Sequence, residues 1–289
     1  MKTATRLRKL LSAEETLVAP SAYDALSAKI AESAGFKAIG TTGYGMSASL
    51  LGKPDVGLLT MSEIVVQCKN IAAAVNVPVM ADADTGYGNP INVIRTVKEF
   101  EKAGIAGIYI EDQVWPKKCG YMKGRDIVEI EEATAKIRAA VEARDDPDFL
   151  IIARTDADFI SPDEVIKRGN AYADAGADLI KPQPHSKDEL KLYCQQIKKP
   201  LHIGTGNLGS FSLSVKELEE MGNIKIVTFP LAALLAATKA MMDLMREIKE
   251  TGRIDDFADR LLTFDEFTEF IGLPEAYSLE YRYKNVKCE

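Results

Sequence analysis

The chain of 289 residues has no long apolar run, which argues against a membrane-spanning segment. Its most apolar stretch, Leu231–Met242, is interrupted by Thr238 and Lys239 and is shorter than the roughly 20 residues that a spanning helix needs. The first 15 residues also have no apolar core of the length found in signal peptides. We therefore expect a protein without a membrane partner.

An excess of basic residues is also absent, since the formal net charge is −7 and the isoelectric point is about 5.2. This charge argues against a nucleic-acid partner. The four cysteines contain no C-x-x-C pair, which is typical of a cytoplasmic protein with free thiols. Only two histidines occur, His185 and His202, and no His/Cys cluster of zinc-binding spacing accompanies them. We expect neither histidine to carry the main chemistry.

What the chain does contain is an alternation of short aliphatic runs and longer amphipathic stretches from end to end. The eight predicted strands are Thr16–Pro20, Lys37–Thr42, Val77–Asp82, Gly107–Asp112, Phe149–Arg154, Asp178–Gln183, Pro200–Gly204 and Lys225–Phe229. The predicted helices include Ser21–Ala34, Ser62–Val75, Asn89–Ala103, Ile130–Ala143, Pro162–Ala175 and Leu231–Lys249. Eight strand–helix units predict an α/β fold, a closed parallel (β/α)8 barrel of the TIM type. Polar residues at nearly every strand end favour it over an open doubly wound sheet.

The C-terminal part differs from the rest, because Asp255–Glu289 is acidic and rich in aromatic residues. We interpret residues 1–289 as a single barrel domain in which residues 253–289 form a helical arm. The arm either packs on its own domain or docks on a neighbouring subunit, and the sequence favours neither arrangement.

Carboxylates follow two successive predicted strands. Asp82 and Asp84 come after the run Val77–Met80, and Glu111 ends the next strand. In a parallel barrel these strand ends lie on the catalytic face, where grouped carboxylates repel one another unless a cation is present. Strand-end carboxylates can also cap helices, as Asp156 or Asp158 could, but the repeat on two strands favours a metal. Oxygen ligands predict Mg²⁺, or alternatively Mn²⁺.

Cys119 lies in the polar segment Trp115–Tyr121 rather than in an apolar stripe. A single cysteine is often only a small buried side chain, but lysines 117 and 118 precede this one and are expected to lower its pKa. We therefore consider it a candidate acid or base. Arg154 ends a strongly apolar strand, so it must find a partner. One possible partner is a carboxylate of the protein, either Asp82 or Glu111. The other is the carboxylate of a substrate, and Arg154 can bind both at once.

One further pattern, G-x-G-x-x-G at residues 204–209, matches a dinucleotide-binding fingerprint. The match lacks an acidic residue at a second strand end about twenty positions later, so it does not predict a dinucleotide site. We expect a barrel loop whose largest role is contact with the substrate.

Taken together, these segments resemble the isocitrate lyase and phosphoenolpyruvate mutase superfamily over nearly the whole chain. The resemblance is closest to the branch of 2-methylisocitrate lyase, 2,3-dimethylmalate lyase and petal death protein. The segments that carry it are Thr42–Gly45, Leu51–Asp55, Asp82–Gly86, Glu111–Gly120 and Ala153–Ala157.

The resemblance implies a barrel whose last helix is exchanged between subunits, in a homotetramer built as a dimer of helix-swapped dimers. It implies Mg²⁺ at Asp82, Asp84 and Glu111, held largely through water. It implies that a 2-oxo or 2-hydroxy carboxylate binds the backbone amides of residues 42–44, beside Arg154. The remaining active-site positions that it implies are Thr42, Gly43, Tyr44, Asp55, Gly120, Tyr121 and Gln183. Cys119 would protonate the departing carbanion.

The chain departs from the family pattern in the half of the site that holds the far end of the substrate. Tyr121 stands where the lyases have histidine, Gln183 replaces a glutamate, and the asparagine expected near Gly204 is missing. These losses predict a substrate with fewer carboxylates than methylisocitrate.

We therefore expect a Mg²⁺-dependent carbon–carbon lyase that cleaves a 2-hydroxy dicarboxylate, such as 2,3-dimethylmalate or 2-methylisocitrate, to pyruvate and a second carboxylate. The first alternative is decarboxylation or hydrolysis of oxaloacetate. A phosphonate-processing mutase and a non-catalytic metabolite-binding barrel are further alternatives. In each case the partner is a small carboxylate.

Overall fold

The strands form one continuous parallel sheet in the computed structural model, which describes residues 1–206 and 212–284. Within these residues the sheet has nine strands in the order β1-β9-β8-β7-β6-β5-β4-β3-β2, and neighbouring strands pair in parallel. The strands are β1 Leu17–Val18, β2 Ser21–Ala22, β3 Ile39–Thr41, β4 Val79–Asp82, β5 Gly107–Glu111, β6 Leu150–Arg154, β7 Leu179–Lys181, β8 Leu201–Gly204 and β9 Ile224–Thr228.

The sheet closes on itself through its first strand. Only Ala19 and Pro20 separate β1, which pairs with β9, from β2, which pairs with β3. Proline cannot donate a backbone hydrogen bond, so it interrupts the strand at this point. β1 and β2 are thus two halves of one barrel strand, and the predicted (β/α)8 barrel of eight strands is confirmed.

The helices follow the strands as predicted, with differences at some boundaries. The α-helices are α1 Thr3–Leu11, α2 Ala25–Ser33, α3 Gly43–Leu51, α4 Met61–Ala74, α5 Pro90–Lys102, α6 Ile130–Ala143, α7 Pro162–Asp174, α8 Lys187–Gln196, α9 Val215–Glu219, α10 Ala232–Thr251, α11 Phe264–Phe270 and α12 Leu273–Lys284. The predicted helix at Ser21 begins only at Ala25, because Ser21 belongs to β2 and Asp24 caps the helix by accepting the Ser27 N–H at 2.7 Å. Gly35 and Gly104 follow α2 and α5 with φ of 90° and 83°, as expected of C-terminal caps.

Two apolar clusters lie on the two faces of the sheet. The larger cluster includes helix residues such as Ile64, Val97 and Ile137, so it fills the space between the strands and the surrounding helices. The smaller cluster contains the alternate strand residues Met80, Tyr109, Ile152 and Leu179. Since side chains alternate along a strand, these four point into the barrel. The residues two positions later are Asp82, Glu111, Arg154 and Lys181, so the same alternation directs them towards the barrel axis.

The chain divides into two compact units, Met1–Leu235 and the residues from Ala236 onward. The described part of the second unit contains most of α10, a 3-10 helix Asp255–Arg260, α11 and α12. No described residue of α10, α11 or α12 is buried. Among the described residues, no helix is both long enough and apolar enough to cross a membrane.

Candidate active site

The carboxylates predicted at the end of β4 converge with Asp55. Asp84 adopts a left-handed conformation, with φ of 46°, and its N–H donates to Asp82 Oδ1 at 3.1 Å. A Cβ added to Gly43 would lie 3.2 Å from Asp82 Oδ2 and 3.6 Å from both Asp55 Oδ2 and Asp84 Oδ1. The absence of a side chain at Gly43 therefore allows three carboxylates to approach one point.

Lys117 supplies a cation to this group, a role that the sequence did not reveal. Its ammonium lies 2.7 Å from Asp55 Oδ2 and 2.6 Å from Asp84 Oδ1, and the side chain is almost completely buried. Burial lowers the pKa of Lys117, but Asp84 and Glu111 outweigh it and raise the pKa well above the usual value. The lysine is therefore charged and partly neutralises the carboxylates.

Arg154 bridges two further carboxylates at the end of β6. Its Nη1 lies 2.9 Å from Glu111 Oε2, and its Nη2 lies 2.8 Å from Asp156 Oδ1. The ion pair with Glu111 was one of the two expected arrangements. Asp156 does not cap a helix through its side chain, because its carboxylate binds Arg154 and, at 3.0 Å, Arg125. These two ion pairs hold the Arg154 guanidinium in place beside the cavity that it lines.

A cavity with about 490 Å³ of empty space opens at this end of the barrel. Its lining includes ten of the twelve predicted site residues: Thr42, Gly43, Tyr44, Asp55, Asp82, Cys119, Gly120, Tyr121, Arg154 and Gln183. Asp84 and Glu111 do not line it; Asp84 pairs with Lys117 and Glu111 pairs with Arg154. The other lining residues are Ser21, Thr41, Tyr109, Lys181, Thr228, Pro230 and Leu231.

The segment from Thr42 to Tyr44 meets the cavity as the start of α3. Thr42 is the N-cap of this helix, and its hydroxyl accepts the Gly45 N–H at 3.3 Å. The first N–H groups of a helix have no partner within it and carry the positive end of its dipole. The Gly43 N–H already donates to Asp82 Oδ2 at 3.4 Å, and the Gly45 N–H is taken by Thr42. Among the described contacts of this turn, the Tyr44 N–H and the positive end of the helix dipole are left for a ligand carboxylate.

The buried carboxylates fit a divalent cation by their chemistry. Burial raises the pKa of Asp84 to about 6 and that of Glu111 well above its usual value, although Lys117 and Arg154 oppose these shifts. Glu111 Oε1 is buried without a hydrogen-bond partner in the described part of the chain. No described set of three His, Cys, Asp or Glu side chains forms a ready-made metal cluster. These residues therefore fit a hard cation that is held partly through water.

Cys119 lies half-buried in the loop between β5 and α6, and its N–H donates to the Asp55 carbonyl at 3.1 Å. Burial raises the pKa of its thiol. The expectation of a lowered pKa is wrong in its net direction, because burial outweighs the lowering effects of the hydrogen bond from the Tyr121 backbone, of Arg154 and of Lys117. The thiol stays protonated at neutral pH and is suited to donate a proton.

Gly120 brings the thiol loop against β6 and β7. A Cβ at this position would lie 2.3 Å from Gln183 Nε2, 2.4 Å from Arg154 Nη2 and 3.1 Å from Asp156 Oδ1. Such distances are too short for any side chain, so only glycine allows this approach. The glycine therefore sets how close the thiol can lie to the strand ends.

Lys181 is a second cation that sequence reasoning missed. It is 6% exposed, lines the cavity and is the neighbour of Arg154 in the register of β6 and β7. Burial, followed by the charge of Arg154, lowers its pKa to about 8. The signal was available in the sequence, because Leu179, Lys181 and Gln183 are spaced two apart along one strand face.

Neither of the two histidines lines the cavity. His202 is buried, 3.0 Å from Thr228 Oγ1 through Nε2, and burial lowers its pKa well below the usual value. His185 is exposed and lies 2.8 Å from Asp158 Oδ2. Of the G-x-G-x-x-G pattern, Gly204 ends β8 and residues 205–206 follow it, whereas 207–209 lie outside the described residues, as does Cys288.

Comparison with known proteins identifies the family. A family model described as phosphoenolpyruvate phosphomutase matches residues 7–249. The chain is 47% identical over 286 residues to 2,3-dimethylmalate lyase of Eubacterium barkeri, covering 98% of this chain and 99% of that protein. It is 41% identical to a chloroplastic carboxyvinyl-carboxyphosphonate phosphorylmutase of Arabidopsis thaliana, covering 98% and 85%. It is also 41% identical to petal death protein of Dianthus caryophyllus, covering 97% and 89%.

Solved structures show the same relationship. An oxaloacetate acetylhydrolase bound to the inhibitor 3,3-difluorooxalacetate matches with a TM-score of 0.93 at 33% identity, covering 99% of each chain. A 2,3-dimethylmalate lyase, titled a PEP mutase/isocitrate lyase superfamily member, matches with a TM-score of 0.91 at 36% identity, covering 98% and 96%. A phosphonopyruvate hydrolase in complex with oxalate and Mg²⁺ matches with a TM-score of 0.90 at 32% identity, covering 99% and 100%. The chain belongs to the phosphoenolpyruvate mutase and isocitrate lyase superfamily.

Proposed function

We propose that this protein is a Mg²⁺-dependent carbon–carbon lyase that cleaves a 2-hydroxy dicarboxylate of the 2,3-dimethylmalate type to pyruvate and a second carboxylate. The observation that carries this proposal is the cavity itself. It joins the helix N-terminus at Thr42, the guanidinium of Arg154 and the protonated thiol of Cys119 in one space. Identity of 47% to a 2,3-dimethylmalate lyase supports the same class of reaction.

The substrate's 2-hydroxy carboxylate would bind between the Tyr44 N–H at the start of α3 and Arg154. Asp82, Asp84 and Glu111 would hold the metal ion, in part through water. When bound, Mg²⁺ polarises the oxygens of the substrate and stabilises the negative charge that develops on them. The related phosphonopyruvate hydrolase binds oxalate and Mg²⁺ together, which supports this assignment.

Cleavage breaks one carbon–carbon bond and moves two protons, one from the 2-hydroxyl to a general base and one from Cys119 to C3, after which the base returns a proton to the thiolate. The 2-hydroxyl loses its proton, its oxygen forms the carbonyl of pyruvate, and the electrons of the C2–C3 bond pass to C3. Cys119 donates its thiol proton to C3, so the other fragment leaves as a simple carboxylic acid such as propanoate. A thiol whose pKa is raised by burial is present in the form that this step needs.

A second candidate is cleavage of oxaloacetate, which the likeness to oxaloacetate acetylhydrolase favours. The two functions are separated by incubating the enzyme with Mg²⁺ and either 2,3-dimethylmalate or oxaloacetate, with phosphonopyruvate as a third arm. Release of pyruvate and propanoate from dimethylmalate, abolished by EDTA, supports the lyase. Release of oxalate and acetate from oxaloacetate alone supports the hydrolase instead, and either outcome contradicts a non-catalytic barrel.

We further propose that α10–α12 pack on a neighbouring subunit in a helix-swapped homotetramer. In support, none of their described residues is buried, and Met241, Met245 and Phe264 are 56%, 58% and 78% exposed. Light scattering after gel filtration tests this, and a monomeric mass at micromolar concentration contradicts it. We also propose a cytoplasmic location, which the free thiols of Cys68, Cys119 and Cys194 support.

A further inference from the structure

Lys181 is directed into the cavity by the pattern of its strand. On β7, Ile180 belongs to the cluster beneath the helices, whereas Leu179 belongs to the cluster inside the barrel. Lys181 shares the face of Leu179 and lies one step closer to the barrel mouth, where it lines the cavity. The lysine is therefore an inward-pointing cation in a position that an apolar residue could fill.

This cation has no partner in the described part of the chain. Lys117, which is equally buried, lies within 2.7 Å of two carboxylates. Lys181 is 6% exposed, yet it forms neither a salt bridge nor a hydrogen bond with a residue in 1–206 or 212–284. Burying an ammonium without a direct ion pair is costly. Burial and the charge of Arg154 lower its pKa to about 8, although the charges of Asp156, Asp82 and Glu111 act in the opposite direction. Such a group is stabilised when an anion enters the cavity.

Arg154, the neighbour of Lys181 in the sheet, gains less than Lys181 does from an anionic ligand in the cavity. Arg154 is already paired with Glu111 and Asp156 at 2.9 and 2.8 Å. Its charge is therefore largely balanced by the protein, whereas the charge of Lys181 is not. An additional negative charge on the ligand is therefore stabilised most strongly when it lies beside Lys181.

Lys181 lies on the opposite side of the barrel from the start of α3. A Cβ added to Gly204 on β8 would lie 3.6 Å from Lys181 Nζ, 3.7 Å from Tyr121 Oη and 3.3 Å from Pro230 Cγ. The carboxylates converge instead at Gly43, which follows β3. In a ring of eight barrel strands β3 and β7 are four positions apart, so the two groups face each other. A ligand that binds the α3 N-terminus at one end meets Lys181 at the other.

We propose that Lys181 binds the carboxylate of the departing fragment and so requires the substrate to carry one anionic group at its far end. The proposal rests on the proposed lyase function for its choice of substrate. Gln183 and Tyr121, the polar neighbours on this side, are uncharged, so the single ammonium matches one carboxylate rather than two. Lys181 is therefore a specificity-determining residue.

The experiment compares two ligands that differ only in this carboxylate. The diacid is 2,3-dimethylmalate, and the monoacid is 2-hydroxy-2,3-dimethylbutanoate, in which a methyl group replaces the far carboxylate. Calorimetry with Mg²⁺ measures both affinities in the full-length Cys119→Ser background, where the proton donor is absent. The variants are Lys181→Gln, the charge-retaining Lys181→Arg, and Lys187→Gln as an exposed control on α8.

We expect the diacid to bind Cys119→Ser at least about tenfold more tightly than the monoacid, the effect of one charge-assisted hydrogen bond. Lys181→Gln should remove this preference by weakening only the diacid, while Lys181→Arg retains part of it and Lys187→Gln all of it. Equal affinity for the two acids before Lys181 is changed, no binding of either, or an equal loss for both in Lys181→Gln overturns the proposal. Affinities do not depend on turnover, so a failed cleavage assay with an intact diacid preference contradicts the lyase function and not the role of Lys181.

Discussion

Lys117 Nζ lies 2.6 Å from Asp84 Oδ1, so a cation from the cysteine loop is buried against the carboxylate that follows β4. The pair joins the loop of the proposed proton donor to the proposed metal site. Removing one member of a buried ion pair leaves the other as an uncompensated charge, which costs far more than an exposed pair is worth.

Lys117→Met should therefore lower the free energy of unfolding by about 3–5 kcal/mol in the absence of divalent cations. Mg²⁺ should restore part of this loss, because a cation bound to the same carboxylates compensates their charge. Urea denaturation at fixed protein concentration, with EDTA or with Mg²⁺, measures both effects. Lys118→Met is the control, since among the described residues the Lys118 ammonium donates to the Gly124 carbonyl, and the bonds to the Gln113 side chain involve the Lys118 backbone, which the substitution keeps. A Lys117→Met variant as stable as the wild type in EDTA contradicts the interpretation.

Cys119 should behave as an acid and not as a nucleophile. Because burial raises its pKa, the thiol should react slowly with iodoacetamide at pH 7.5, with alkylation accelerating only above pH 9. Cys119→Ser should lower kcat by roughly 10²–10⁴, the usual contribution of a positioned acid. Mass spectrometry of the alkylated peptide measures the first effect, and pyruvate release measures the second. Cys194→Ser should leave activity unchanged, and fast alkylation of Cys119 at neutral pH would show a thiolate instead.

The strand ends of the site could be predicted from the sequence because their chemistry is local. Carboxylates directly after buried strands must lie at one edge of a parallel barrel, so Asp82 and Glu111 could be located without coordinates. The partners of those carboxylates could not, since the path of a loop decides them. Lys117 lies 33 residues after Asp84 in the chain (117 − 84) and reaches it only through the fold of residues 112–121.

Two other errors have different physical causes. The sequence predicts a lowered pKa for Cys119 because two lysines precede it. Adjacency in sequence does not decide the pKa, since burial is the larger effect and raises it. Lys181 was overlooked because one lysine within the run Asp178–Gln183 does not disturb a strand prediction. The alternation of that strand does place it on the barrel side, so the information was present in the sequence.

Gly120→Ala should disrupt the site while preserving the fold. A methyl group there would lie 2.3 Å from Gln183 Nε2 and 2.4 Å from Arg154 Nη2, so both side chains must move. Displacement of a positioning group by about 1 Å can cost roughly 10² in rate, and we expect a loss of kcat/KM of that order with little change in melting temperature. Adding Gln183→Ala to Gly120→Ala removes one of the two clashes and should recover part of the activity, with the melting temperature again little changed. Full activity of Gly120→Ala would show that the loop relaxes freely.

Lys181→Met should stabilise the ligand-free protein, and this gain should depend on pH. The pKa of Lys181 is lowered from 10.5 to about 8, so below pH 8 the lysine is charged in both the folded and the unfolded chain and the folded state bears the full cost of burial. Between pH 8 and 10.5 only the unfolded chain retains the proton, so the stability of the wild type rises with pH relative to the variant. The shift corresponds to about 3 kcal/mol at pH 7, and about 2 kcal/mol of this advantage should be lost by pH 9.5. Urea denaturation of both proteins at these two pH values gives their unfolding free energies. The two proteins share every other titrating group, so the contributions of those groups cancel in the difference. A variant less stable than the wild type at pH 7, or a gain that does not change with pH, would mean that Lys181 already has its counter-charge within the protein.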